Sequence, residues 1–143
     1  MIKEVKTIED ANRCDELLTQ LILDERQYND TINEDIIIKD HFNKILDDEN
    51  VILLAYYLDD KIVGYILIRK TSDNVCLLDG LYVLEEYRKQ GIASALLNEA
   101  INKCKKFNAK YVDIKVMDKN EIAKRIYKKL NFNEHVVTLR KKI

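Results

Sequence analysis

The chain has 143 residues, 47% of them hydrophobic and 34% charged, with a formal net charge of −1. That length suits a single domain with a self-sufficient core, and the near-neutral balance gives no electrostatic case for a nucleic-acid partner. No apolar run approaches membrane-spanning length, the start Met1-Ile2-Lys3-Glu4 lacks a signal peptide's apolar region, and Cys14, Cys76 and Cys104 show no C-x-x-C spacing. The expectation is a reduced, cytoplasmic protein with no metal site and neither nucleic acid nor membrane as a partner.

Residues 2–8 read as a first strand. Thr7 then offers an N-cap with Asp10 three positions later, and Ala11, Cys14, Leu17, Leu18, Leu21 and Ile22 form a helical stripe. A second amphipathic helix is predicted over residues 33–48 from Ile36, Ile37, Phe42, Ile45 and Leu46. Residues 51–58 and 62–70 are strands joined as a hairpin at Asp59-Asp60-Lys61. A strand over 76–84, a helix over 91–107, a strand over 111–116, a helix over 120–130 and a closing strand over 132–139 complete the chain. The order β-α-α-β-β-β-α-β-α-β implies an α+β domain whose early strands are antiparallel. A later β-α-β crossover makes strands 76–84 and 111–116 parallel.

The strongest chemical signal lies between Leu78 and Ser94. A buried strand passes through a short charged turn into a helix that opens on Gly91, Ala93 and Ser94. The first N–H groups of such a helix have no intrahelical acceptor and sit at the positive end of the macrodipole, an arrangement suited to phosphate. Gly91 lets the backbone approach a ligand closely, and Arg88 and Lys89 bring positive charge to the same place. Neither G-x-G-x-x-G nor G-x-x-x-x-G-K-[ST] occurs, since Gly64, Gly80 and Gly91 are the only glycines.

Arg88-x-x-Gly91-x-Ala93, preceded by Leu81-Tyr82-Val83 and Glu86-Tyr87-Arg88, resembles the [RQ]-x-x-G-x-[GA] pyrophosphate signature of the GNAT (Gcn5-related) N-acetyltransferases. Glu85, Lys89 and Ala93 stand where the family more often has proline, glycine and glycine. Residues 120–132 resemble a later family signature, N-x-x-A-x-x-L-Y-x-K-x-G-F, with Asn120, Ala123, Tyr127, Lys129 and Phe132 in place and Asn131 for the glycine. Seven residues put Asn120 and Tyr127 on one helix face. Asn120 is also a good N-cap, and asparagine tolerates the left-handed conformation common at helix C-termini. The resemblance covers roughly residues 62–132.

The resemblance implies the GNAT fold, a mixed and mostly antiparallel central sheet with helices on both faces. Its two parallel strands splay apart to admit the pantetheine arm of acetyl-CoA. It implies that Arg88, Lys89, Gln90, Gly91, Ile92, Ala93 and Ser94 hold the pyrophosphate, and that Asn120 and Tyr127 line the co-substrate. A backbone N–H in the run Leu81, Tyr82, Val83 would receive the oxyanion, and Tyr127 would hydrogen-bond or protonate the leaving sulfur. Strand alternation places Asp79, Leu81 and Val83 on one face. A carboxylate within Leu77-Leu78-Asp79-Gly80-Leu81 is costly to bury alone, which makes Asp79 a candidate base acting through a water; the alternative is a residue that ends a bulge or pairs with a nearby lysine.

The expected reaction is transfer from acetyl-CoA to a primary amine of a small molecule by direct attack in a ternary complex. Cys104 falls on the core stripe of its helix and no cysteine has a histidine beside it, so a cysteine nucleophile is disfavoured. A protein N-terminal or lysine acetyltransferase and a non-catalytic acyl-CoA sensor are the rival readings. Homodimerisation through the closing strand is also expected.

Overall fold

In the computed structural model, which describes residues 1–143, five strands form one sheet. They are β1 (Ile2–Glu4), β2 (Val51–Leu58), β3 (Lys61–Lys70), β4 (Val75–Val83) and β5 (Tyr111–Ile114), and they lie side by side in that order. All neighbours are antiparallel except β4 and β5, which the crossover makes parallel. The helices are α1 (Ile8–Glu25), α2 (Ile92–Lys106) and α3 (Glu121–Lys129). None is long and apolar enough to cross a membrane.

Local chemistry accounts for most of these boundaries. Thr7 Oγ1 accepts the Asp10 N–H at 3.2 Å, so the first strand stops at Glu4 and α1 starts where its cap dictates. Asp59 and Asp60 both adopt positive φ, 49° and 65°, in the two-residue turn whose twist matches a hairpin. Along β2, Leu53 and Ala55 face one way and Leu54 the other. α1 covers the first face with Ala11, Cys14 and Leu17, while α2 and α3 cover the second with Leu96, Leu97, Ile126 and Tyr127.

Two predicted elements are absent. Residues 33–48 are not a helix; only the 3₁₀ turn Phe42–Ile45 forms there. The N–H groups a helix would need are taken by α1. Asp15, 3% exposed, accepts from His41 at 3.2 Å and Phe42 at 3.0 Å, and Thr19 Oγ1 accepts from Ile38 at 3.0 Å. Asp40, with φ of 52°, interrupts the remainder. The closing strand over 132–139 is missing as well: no strand lies beside it, and Val136, Val137 and Leu139 are exposed. Strand propensity there has no cross-strand neighbour to act on. The observed order is therefore β-α-β-β-β-α-β-α.

A bulge in β4 positions everything that follows. Ile68 pairs with Leu78 and Ile66 with Leu81, so Asp79 and Gly80 together oppose Leu67. Gly80 has φ of 102°, and a Cβ on it would lie 3.0 Å from Tyr65 Oη, so neither backbone nor space admits a side chain. The extra residue reverses the alternation: Leu78 and Val83 face α2, while Tyr82 faces α1. β4 and β5 stay paired only through Leu78 and Ile114 and separate at the bulge.

Candidate functional site

The turn from Arg88 into α2 holds six backbone N–H groups, Lys89 to Ser94, none of which has an acceptor within the protein. The first bond that closes is Ala95 N–H to the Gly91 carbonyl at 3.0 Å. Gly91, the N-cap residue, has no side chain to spend on them, and no acidic residue occupies the first turn. Positive φ at Lys89 (62°) and Gly91 (82°) curls these amides into a concave nest. A Cβ built on Gly91 meets nothing within 4 Å, so the space in front of the amides is open. Ile92 is buried and anchors the helix start, while Lys89 and Gln90 are exposed. The geometry fits a phosphate or pyrophosphate.

The free edge of β4 leads to this turn. Leu84 N–H donates to the Val63 carbonyl at 2.9 Å, which sets the ladder so that Leu81 and Val83 turn their polar groups away from β3. With β5 gone beyond Leu78, those groups have no strand partner. Arg88 Nε donates to the Val83 carbonyl at 2.8 Å, leaving the Leu81 N–H and C=O and the Val83 N–H. An extended chain of amide character could pair there as a strand would.

Arg88 differs from expectation. Its guanidinium turns from the amide nest to lie over the Tyr82 ring at 5.1 Å and to pair with Asp24 at 3.3 Å, tying the end of α1 to the end of β4. Only its backbone and the Lys89 charge remain at the nest. Asp79 is not embedded either: its side chain is 48% exposed and pairs with Arg69 at 2.9 Å. The bulge, which turns Asp79 away from the core, removes the burial argument made from alternation.

α3 is closed at both ends. Asn120 Oδ1 accepts the Ala123 N–H at 3.2 Å. Asn131 takes φ of 66°, with its N–H bonded to the Lys128 carbonyl and Phe132 N–H to the Tyr127 carbonyl, both at 3.0 Å. This paired C-terminal arrangement brings the Phe132 ring edge-on to Tyr127 at 6.0 Å. Tyr127 is thereby held in the face that α2 and α3 cover. Burial, with a smaller contribution from Glu25, pushes its pKa up to about 12.

Glu25 was not singled out by any motif. It is half-buried in the last turn of α1, makes no hydrogen bond or ion pair through its carboxylate, and has its pKa raised by burial. Tyr65, 0% exposed, likewise has a hydroxyl without a partner. The only available sequence signal was Glu25's position one turn after Leu21 on the apolar stripe. The three cysteines are buried, and burial raises Cys14 and Cys104 to about 12, far from thiolate character.

The family model described as "Acetyltransferase (GNAT) family" matches residues 15–132. Streptothricin acetyltransferase A of Bacillus subtilis is 29% identical over 111 residues, 71% of this chain and 64% of that protein, so the chain spans just under two thirds of that relative. Among solved structures, a mutant of a Bacillus halodurans protein superposes with a TM-score of 0.87 at 21% identity, covering 100% of this chain and 99% of that one. An aminoglycoside N-acetyltransferase crystallised with CoA superposes with a TM-score of 0.65 at 17% identity over 100% of both chains.

Proposed function

Because the chain belongs to the GNAT family of acetyltransferases, we propose that it transfers the acetyl group of acetyl-CoA to a primary amine of a small molecule, by direct attack in a ternary complex. The observation that carries this reading is the run of six unsatisfied amides at Lys89 to Ser94, placed where β4 loses its partner strand. Lys89, Gln90, Gly91, Ile92, Ala93 and Ser94 would hold the pyrophosphate through backbone N–H groups, and Arg88 would hold the turn itself. Leu81, Tyr82 and Val83 would flank the pantetheine arm, with the Val83 or Leu81 N–H available to the oxyanion. Asn120 uses its oxygen as a cap, so only its amide nitrogen is free for the co-substrate.

Tyr127 would serve the departing sulfur. A hydroxyl near 12 facing a thiol near ~8.5 would lose about 5 kcal/mol on full proton transfer, so its role is a hydrogen bond to the developing thiolate. An alkyl ammonium must also lose a proton before it attacks. Asp79, the carboxylate singled out from sequence, is one candidate for that proton, acting through a water and from within its pair with Arg69.

The streptothricin and aminoglycoside enzymes among the relatives support a small amine as acceptor. A panel of primary amines with acetyl-CoA, followed by thiol release, tests the reading. No turnover with any amine, but a thermal shift with CoA, would favour the sensor; no shift with CoA or dephospho-CoA would refute the family's chemistry here. The reading includes a single domain acting in the cytoplasm. It also includes a homodimer, in which residues 132–139 gain from a second copy the pairing they lack; a monomer by light scattering would remove that part.

A further inference from the structure

α1 covers one face of the sheet and α3 the other. Groups on the two layers are normally screened from each other by the strands between them. Glu25 is an exception: beside the larger effect of burial, its charge raises the pKa of both Tyr65, buried beneath α1, and Tyr127, half-buried on α3. Beyond Leu78, β4 leaves β5 and the sheet opens between the two layers. Leu21 touches the bulge, 3.7 Å from where a Gly80 Cβ would be, and Asp24 is tied through Arg88 to Val83. The last turn of α1 therefore lies along the free edge of β4 from Gly80 to Val83, and Glu25 sits at its end, one turn beyond Leu21.

Resting on the acetyltransferase reading, we propose that Glu25 is the catalytic residue that takes the proton from the incoming ammonium, standing on the α1 side of the gap while the Tyr127 hydroxyl stands on the α3 side. Asp24 and Asp79 already have cationic partners in Arg88 and Arg69, while the Glu25 carboxylate has none. A half-buried carboxylate without a partner calls for a cation, and a primary ammonium supplies it. The titratable groups around the gap include Tyr65 on β3, Tyr82 on β4, the Arg69–Asp79 and Asp24–Arg88 pairs, and Tyr127 on α3. Arg26, the next residue of the chain, is turned outward onto the Ile32 carbonyl and Glu34.

The protons balance. The ammonium nitrogen carries three and the amide product keeps one. One passes to a Glu25 oxygen and then to solvent. The freed lone pair forms the C–N bond with the thioester carbon, the C–S bond breaks with its electrons on sulfur, and the second nitrogen proton ends on that sulfur beside Tyr127. No oxidant or further reactant is needed.

The test uses Glu25→Gln, which keeps the shape and removes the charge, set against Asp79→Asn, the variant of the rival base. With the best acceptor from a panel of alkyl amines, polyamines and aminoglycosides, Glu25→Gln should lower kcat/KM by roughly a hundredfold at neutral pH. The deficit should shrink as rising pH deprotonates the amine unaided, and the thermal shift with CoA should be unchanged. A wild-type rate in Glu25→Gln, or the loss appearing in Asp79→Asn instead, overturns the proposal. Two readouts do not depend on turnover. In carboxyl-labelled protein, the resonance absent from Glu25→Gln should titrate above the ordinary glutamate range; a midpoint within or below that range overturns the proposal. Since burial raises the folded-state pKa, the carboxylate's charge lowers stability as pH rises through that value, so Glu25→Gln should raise Tm at neutral pH and leave it unchanged well below the unfolded pKa. A lower Tm at neutral pH would mark a structural role and overturn the proposal. If wild type acetylates no amine while Glu25 still titrates high, the acetyltransferase reading has failed and Glu25 loses its catalytic role with it.

Discussion

The N-termini of α3 and α2 are built in opposite ways. α3 opens on Asn120, whose side chain takes the Ala123 N–H, so its first turn is completed by its own sequence. α2 opens on Gly91, which offers no side chain, after a turn of positive φ that leaves six amides in a row without an acceptor. A side-chain cap contributes about 1 kcal/mol, and nothing in the packing prevents one at α2, since the space in front of Gly91 is empty. An anion bound there would recover the stability given up at α2. One helix end is closed and holds Tyr127 in place, and the other leaves its amides open.

Breaking the open end should have the largest effect. Gly91→Val puts a β-branched residue at φ of 82°, at a backbone cost of roughly 1–2 kcal/mol, and places its side chain in the nest. CoA at about one hundred times its dissociation constant should add roughly 2.7 kcal/mol to wild-type stability and nothing to the variant. A surviving thermal shift would mean that these amides are not the anion site. Tyr127→Phe comes next. Turnover should fall roughly tenfold to a thousandfold with the CoA shift intact, whereas full activity on a good acceptor would leave the tyrosine only its packing on Phe132.

Opening the closed end should matter less. Asn120→Ala should cost about 1 kcal/mol and a few degrees of Tm, with the CoA shift preserved. Loss of that shift would show that Asn120 touches the co-substrate and is more than a cap. The smallest effect is expected at Asn131, where φ is 66°. Asn131→Gly should leave the unfolding free energy within a few tenths of a kcal/mol of wild type, while Asn131→Val should cost roughly 1–2 kcal/mol and loosen the Tyr127–Phe132 contact.

The open turn was legible in the sequence because everything it needs lies within a few residues. Arg88, Gly91 and Ala93 in that spacing, after a strand and before Leu96 and Leu97, specify a local backbone path, and so do Thr7, Asn120, Asn131 and the Asp59-Asp60 turn. The roles assigned to Arg88 and Asp79 from the same stretch met partners that proximity in sequence does not reveal. Asp24 and Val83 claim the guanidinium, and Arg69 claims the carboxylate. The bulge at Asp79 and Gly80 was hidden for a related reason, since an extra residue in one strand is defined only against the strand beside it.

By itself the sequence determined the elements whose stabilising contacts are local: α1, α2 and α3, the hairpin, the crossover and the amide nest. Tertiary structure decided the rest. Residues 33–48 carry a helical apolar pattern, yet Asp15 and Thr19 on α1 hold their N–H groups, because a buried backbone donor takes the acceptor it can reach. Residues 132–139 carry strand-forming residues, yet no strand lies beside them to complete a ladder. Glu25 and Tyr127 are 102 positions apart and on opposite faces of the sheet. β4 parts from β5 between the two layers, and a gap between strands is a property of their packing that no single segment encodes.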